Sequence, residues 1–309
     1  MAEQYEAIIV GAGPAGLTAG LYLMRAGIGT LLCEKLLPGG TPLNTERIEN
    51  YPGFPEGISG RELMERFAAQ AEAFGLPIRE FSEVQSVEHA EGRFIVRINN
   101  GEITADGLIV ATGSEPVKMG IPGEDELTGR GVSYCATCDG MFFRDLEVAV
   151  IGGGDSAIEE ALSLANIVKK VYVVHRRDSL RAQKILQERA FKNPRVEFLW
   201  NSRPVEIVGT AQVEGLIVED TGTGQLSEVA VSGVFFYVGF QPNTNFIAEY
   251  VERDPPGYII TDDRCATRTP GLYAAGDVRK KSLRQISTAV GDGAVAAVSL
   301  ERYILEKKG

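Results

Sequence analysis

Tyr5-Glu6-Ala7-Ile8-Ile9-Val10-Gly11-Ala12-Gly13-Pro14-Ala15-Gly16 is the stretch whose reading decides the fold. Its first half carries an apolar run of the kind a parallel sheet buries on both faces. Its second half sets three glycines where a strand passes into a helix. Gly11 makes the turn, Gly13 lets the backbone approach a pyrophosphate, and Gly16 lets helix and strand pack closely. A helix is predicted from Leu17 to Ala26, then a glycine turn at Gly27 and Gly29. A second strand, Thr30-Leu31-Leu32-Cys33, ends at Glu34, where a carboxylate accepts from a ribose hydroxyl. Gly11, Gly13, Pro14, Ala15, Gly16 and Glu34 therefore form a dinucleotide site.

The pattern recurs. Glu147-Val148-Ala149-Val150-Ile151 reads as a strand, Gly152-Gly153-Gly154-Asp155-Ser156-Ala157 as the turn, and a helix follows through Leu164. The next strand, Val171 to Val174, ends in His175-Arg176-Arg177 in place of an acid. An acid repels a 2′-phosphate, whereas guanidinium groups bind it. Arg181 joins the same face if a helix starts there. This second site, with Gly152, Gly154, Asp155, Ser156, Ala157, His175, Arg176, Arg177 and Arg181, is expected to take NADPH.

The first site is then left for FAD, and two distant segments extend it. Gly107 to Gly113 is a strand running into a glycine turn, with Thr112 and Gly113 at its end. Pro270 to Asp277 is another, ending in an exposed acid at a carboxyl edge where open sheets bind ligands. Gly276 and Asp277 suit a flavin ribityl chain. Arg284-Gln285 then opens a helix from Ile286 to Tyr303, whose N-terminal dipole would stabilise negative charge on a reduced flavin. The FAD segments lie at both ends of the chain and the NADPH unit between them. The fold expected is α/β, with two Rossmann-like dinucleotide-binding domains, the FAD domain discontinuous and the NADPH domain inserted. Boundaries are set at 1–115 with 245–309, and 116–244. The crossings, Ser114 to Glu126 and Gly239 to Thr244, are rich in proline and glycine and suit a double hinge.

Inside the inserted part stands Ser133-Tyr134-Cys135-Ala136-Thr137-Cys138-Asp139-Gly140. A Cys-x-x-Cys pair suits thiol exchange, one sulfur attacking while the other leaves. A zinc site needs two further ligands, and the remaining cysteines, Cys33 and Cys265, and histidines, His89 and His175, are scattered; no metal is expected. The chain has 309 residues, enough for two domains, and a net charge of −11 that disfavours nucleic acid and anionic membranes as partners. From Met1-Ala2 it runs into a strand with no export signal, and no stretch has the length of a membrane span, so a cytoplasmic protein is expected.

Across these motifs, and with Glu49-Asn50-Tyr51-Pro52-Gly53 and Arg284-Gln285 added, the chain resembles the bacterial-type low-molecular-weight thioredoxin reductases over essentially its whole length. The resemblance implies a homodimer with one FAD per subunit, NADPH as donor and thioredoxin as acceptor. It implies that Asn50 and Gln285 belong to the FAD site, that Cys138 faces the flavin, that Cys135 attacks thioredoxin, and that Asp139 transfers the proton. With the disulfide on the inserted domain, the flavin meets disulfide and nicotinamide in turn, which calls for rotation about the two crossings. Two departures stand out. Gly39-Gly40-Thr41-Pro42-Leu43-Asn44 replaces the usual Gly-Gly-Gln-Leu near the flavin, and Phe240 stands where some members have histidine.

Other functions fit part of the pattern. A flavoprotein reductase of another disulfide carrier, glutaredoxin-like or a peroxidase, shares every motif. A ferredoxin–NADP reductase lacks the cysteine pair, and a non-catalytic FAD sensor needs no second fingerprint. Cys33 reads as packing, Cys265 as partly exposed, and His89 as following a strand without a role. Leu63, Met64 and Phe67 share a helix face that is either core or dimer surface.

Overall fold

The computed structural model describes residues 3–45 and 48–308; Met1 and Ala2, read as leading into the first strand, lie outside them. Contacts divide the chain into two compact units, one formed by Met1–Asn44, Ile48–Glu115 and Gln241–Gly309, the other chiefly by Pro116–Phe240. The first unit opens with β1 (Glu3–Val10), α1 (Pro14–Arg25), β2 (Thr30–Cys33), α2 (Gly60–Ala73), β3 (Ile78–Arg79), β4 (Val84–Ala90), β5 (Arg93–Ile98) and β6 (Gly101–Val110). β1 lies between β2 and β6, parallel to both, and β5 and β4 continue the sheet antiparallel. Ala7, Ile8 and Ile9 are fully buried because helices cover one sheet face and loops the other. Each isoleucine contributes roughly 1.5–3 kcal/mol through burial. α1 starts three residues before the expected Leu17, since Pro14 supplies the first helical residue, whose N–H needs no partner. On α2, Leu63 and Met64 are fully buried, which makes this face core.

The chain leaves through β7 (Ser114–Pro116). The second unit holds β8 (Val132–Ser133), α3 (Ala136–Asp139), β9 (Glu147–Ile151), α4 (Asp155–Leu164), β10 (Lys170–Val174), α5 (Lys184–Lys192), β11 (Val196–Leu199), β12 (Ser202–Val208), β13 (Gly215–Asp220), β14 (Leu226–Val229) and β15 (Gly233–Phe236). β11, β10, β9, β15 and β8 form one parallel sheet, while β12, β13 and β14 form a separate antiparallel one. The chain returns through β16 (Phe240–Pro242), which pairs with β7.

Back in the first unit, β17 (Leu272–Ala274) adds parallel to the second half of β6. The closing helix α6 (Ile286–Lys308) runs past the expected Tyr303 and packs on α1, where Gly293 comes so close that a Cβ would meet the Ala15 carbonyl oxygen at 2.3 Å. The fold is α/β with two Rossmann-type sheets, with glycine turns at the carboxyl ends of β1 and β9, where parallel sheets bind nucleotides.

Candidate active site

In the first unit the glycine turn is shaped by close approach. Gly11 has φ +102°, and a Cβ on it would stand 2.5 Å from the Ala111 carbonyl oxygen; one on Gly16 would stand 1.8 Å from the Gly11 oxygen. A Cβ on Gly13 would meet nothing within 4 Å, so this position is open to a ligand. The turn is braced by Glu34, whose Oε2 accepts from the Ala12 amide at 2.7 Å and whose Oε1 accepts from Leu36 at 2.9 Å. The Thr41–Asn44 turn, including the unexpected Thr41-Pro42, follows Gly39, whose amide donates to the Ala12 carbonyl at 2.8 Å.

The distant segments expected at this site are tied to one another across the chain. Thr112 Oγ1 donates to the Asn243 carbonyl at 2.7 Å, and the Asn243 amide donates to Gly113. Asn50 Nδ2 donates to Gln285 Oε1 at 3.1 Å, across 235 residues. Gly276 takes φ +81° and donates its amide to Asp292 Oδ2 at 3.1 Å. Asp277 is only partly exposed: its Oδ1 is buried while the side chain as a whole is 35 % exposed, and burial pushes the carboxyl above its ordinary range despite Lys281 and Arg284 nearby. The cause is position, since Asp277 sits in a 3₁₀ turn beyond β17 that folds back toward α6. Arg284 stacks over Tyr258 at 3.9 Å with its Nε buried. Neither Asp277 Oδ1 nor Arg284 Nε finds a hydrogen-bond partner among the described residues. Orphaned polar atoms of this kind cost stability unless a ligand satisfies them, and with the open Gly13 they fit a bound FAD.

The second glycine turn, in the other unit, leaves Gly154 open in the same way. Asp155 begins α4 and accepts from the Gln183 backbone amide at 2.7 Å and from its side chain at 3.2 Å. Ser156 is exposed and Ala157 buried against Gly152. Arg176, Arg177 and Arg181 are exposed, and none is paired with an acid among the described residues. No helix starts at Arg177 as the spacing suggested; α5 begins at Lys184. Residues 175–183 form a loop because the Arg181 and Ala182 amides are taken by the Gly153 carbonyl, at 2.8 and 3.2 Å. Three uncommitted guanidinium groups beside an open glycine turn fit the 2′-phosphate of NADPH. His175, by contrast, is buried.

Cys135 and Cys138 are joined in a disulfide and both sulfur-bearing residues are half-buried. Cys135 caps the short α3, its Sγ accepting from the Cys138 amide at 3.2 Å. Tyr237 OH accepts from the Ala136 amide at 2.6 Å, and Tyr134, just before the pair, donates to the buried Glu124 at 2.9 Å. Asp139 Oδ2 accepts from Ser133 Oγ at 2.6 Å. No motif marks Ser133, Glu124, Tyr237 or Asp292: Ser133 and Glu124 are near in sequence but their side-chain directions are set by the fold, and Tyr237 and Asp292 approach from distant elements. Two other residues differ from expectation. Cys265 is 1 % exposed, held under Arg279, whose Nη1 lies 3.1 Å from its sulfur. His89 lies within β4 and stacks on Phe94 at 4.5 Å.

Residues 5–293 match the family model described as pyridine nucleotide-disulphide oxidoreductase. The chain belongs to that family, and it is an oxidoreductase that uses FAD and NADPH. It is 47 % identical over 303 residues to the thioredoxin reductase of Bacillus subtilis, covering 98 % of this chain and 95 % of that protein. It is 48 % identical to that of Listeria monocytogenes, with the same coverage. Among solved structures, thioredoxin reductase from Streptococcus pyogenes matches with a TM-score of 0.91 at 46 % identity, over 99 % of this chain and 100 % of that one. The Lactococcus lactis enzyme, in a form described as the FR conformation, matches with 0.70 at 45 % identity, over 98 % and 99 %. Among the described residues no helix is long and apolar enough to cross a membrane.

Proposed function

We propose that this chain is an NADPH-dependent thioredoxin reductase, in which the Cys135–Cys138 disulfide passes electrons to the disulfide of thioredoxin. The observation that carries the reading is a half-buried Cys-x-x-Cys disulfide, braced by Ser133 and Tyr237, in a chain with two dinucleotide turns. Bound FAD supplies hydride acceptance from NADPH and two-electron delivery to a disulfide. Gly11, Gly13, Glu34, Asn50, Thr112, Gly113, Asp277, Arg284 and Gln285 hold it; Gly152, Gly154, Asp155, Arg176, Arg177 and Arg181 hold NADPH. Two electrons and two protons convert the Cys135–Cys138 disulfide to a dithiol. The Cys135 thiolate attacks the acceptor disulfide, forming a mixed disulfide and releasing one acceptor thiolate. Cys138 then attacks Cys135 sulfur, which restores the ring and frees the second acceptor thiol, with Asp139 carrying a proton.

The Pro116–Phe240 unit rotates about the β7–β16 crossings between a disulfide-reducing and a nicotinamide-binding state. Support comes from two solved relatives: at 46 and 45 % identity they match with TM-scores of 0.91 and 0.70, a gap that sequence divergence does not explain. A trapped Cys135 mixed disulfide with thioredoxin that kept the domain arrangement of the resting enzyme would overturn this. The enzyme acts in the cytoplasm as a homodimer, which sedimentation equilibrium at twice the chain mass tests.

The deciding experiment measures NADPH oxidation by the FAD-loaded protein with and without oxidised thioredoxin, for wild type and Cys138→Ser. Turnover is expected only with thioredoxin and wild type. Flavin reduction without thioredoxin turnover, and turnover with a glutaredoxin-like or peroxidase carrier, would transfer the activity to that carrier.

A further inference from the structure

His175 follows β10 directly and differs in setting from the arginines beside it. It is 5 % exposed, whereas Arg176 and Arg177 stand in solvent. Its ring packs so closely on Gly153 that a Cβ there would fall 2.3 Å from Cε1 and 2.4 Å from Nδ1. Trp200 meets the ring edge-on, with centroids 6.4 Å apart. Nε2 lies 3.1 Å from the Ser179 carbonyl oxygen. A carbonyl only accepts, so Nε2 carries the proton and the neutral ring keeps its lone pair on Nδ1. Burial outweighs that hydrogen bond and, with the charges of Arg181, Arg177 and Arg176, holds the imidazole below its ordinary pKa of 6.5.

The surrounding bonds show what this ring secures. Its Ser179 contact fixes the loop midway, and the Arg181, Ala182 and Gln183 amides fix its far end to Gly153 and Asp155. The ring therefore touches both halves of the second nucleotide site, the glycine turn and the guanidinium loop.

We propose that His175 is a positioning residue and makes no phosphate contact: a neutral imidazole wedged under Gly153 that closes the loop and aims Arg176, Arg177 and Arg181 at the 2′-phosphate. The proposal rests on the reading that those arginines bind that phosphate. An imidazole suits the task because it fits beneath a residue without Cβ and still offers one N–H to Ser179.

The chain has two histidines, so holoenzyme labelled with ¹⁵N-histidine gives two imidazole signals, and His175→Gln identifies which is His175. Titration with 2′,5′-ADP at pH 7 is expected to leave the ring neutral and protonated on Nε2. Protonation of Nδ1 on adding 2′,5′-ADP would overturn the proposal. In steady-state kinetics, His175→Gln keeps an N–H at similar reach and His175→Leu does not. The leucine variant is expected to raise KM for NADPH roughly tenfold and by clearly more than KM for NADH, and the glutamine variant to keep KM for NADPH within about twofold of wild type. Equal loss in both variants would also overturn it. Arg176→Ala/Arg177→Ala separates the two readings. An unchanged preference for NADPH over NADH in that variant defeats the arginine assignment, whereas a lost preference together with a protonated His175 ring defeats only the histidine proposal.

Discussion

Ser133 Oγ donates to Asp139 Oδ2 at 2.6 Å and accepts from the Cys135 amide at 3.1 Å, so one hydroxyl joins the first cysteine to the carboxylate after the second. Ser133 is buried on β8, which makes it a fixed anchor. If Asp139 carries the proton, Asp139→Asn should lower thioredoxin-dependent kcat by roughly 10²-fold or more. Ser133→Ala removes this hydrogen bond and should cost about tenfold, the value of one hydrogen bond to a charged group. Stopped-flow reduction of the bound flavin by NADPH should be unchanged in both. A Ser133→Ala enzyme with full turnover would show that Asp139 needs no anchor.

Asp292 gathers Arg279 at 2.7 Å, Lys281 at 2.8 Å and the Gly276 amide at 3.1 Å, with all three charged side chains under a fifth exposed. Removing the carboxylate leaves two cations facing each other in a poorly solvated place. Asp292→Ala should lower unfolding free energy by about 3 kcal/mol. Because Gly276 precedes Asp277, it should also weaken FAD retention, read as a falling flavin-to-protein absorbance ratio during dialysis. Full flavin content with full stability would show the network to be dispensable.

Arg176 and Arg177 are exposed, and among the described residues no acid forms an ion pair with them. Replacing both by alanine should raise KM for NADPH roughly 10²-fold and leave KM for NADH within about twofold. A uniform rise for both donors would mean that the arginines serve the loop and make no phosphate contact.

Cys33 and Cys265 are each 1 % exposed, and burial pushes both thiols up to about 11. The native oxidised protein should therefore resist iodoacetamide at pH 8. After NADPH reduction, mass spectrometry should find label on Cys135 and Cys138 only. Label on Cys265 in the folded protein would reveal opening of the Arg279–Asp292 cover.

His89 and His175 both have their pKa held below the ordinary 6.5, chiefly by burial. Their contribution to stability is full above pH 6.5. As pH falls from there toward the lowered folded values, the unfolded chain binds the extra protons and the folded state loses stability. Urea midpoints should drop between pH 6.5 and 5.5, less steeply in His89→Gln and in His175→Gln. Slopes unchanged in both variants would assign acid lability to the carboxylates.

The glycine turns were legible because their requirements are local. Gly11 needs a positive φ and Gly16 a missing Cβ, and both needs show in the spacing of one strand and one helix. The guanidinium run after β10 was legible for the same reason. The i, i+4 spacing of Arg177 and Arg181 puts them on one face only if a helix starts there, and none does, because the Arg181 amide is taken by Gly153, 28 residues earlier. Cys265 was read as partly exposed from its acidic neighbours, and the packing of α6 buried it.

The sequence by itself determined which chemical groups the chain brings together: two glycine turns of the dinucleotide type, one Cys-x-x-Cys pair and a run of arginines after a strand, each set by residues within about thirty positions of one another, where steric rules act directly. The tertiary structure alone decided which groups support that chemistry. Ser133 under Asp139, Asp292 under Gly276, Asn50 against Gln285 and His175 under Gly153 are contacts whose energy exists only once the chain has folded and water has left the space between them.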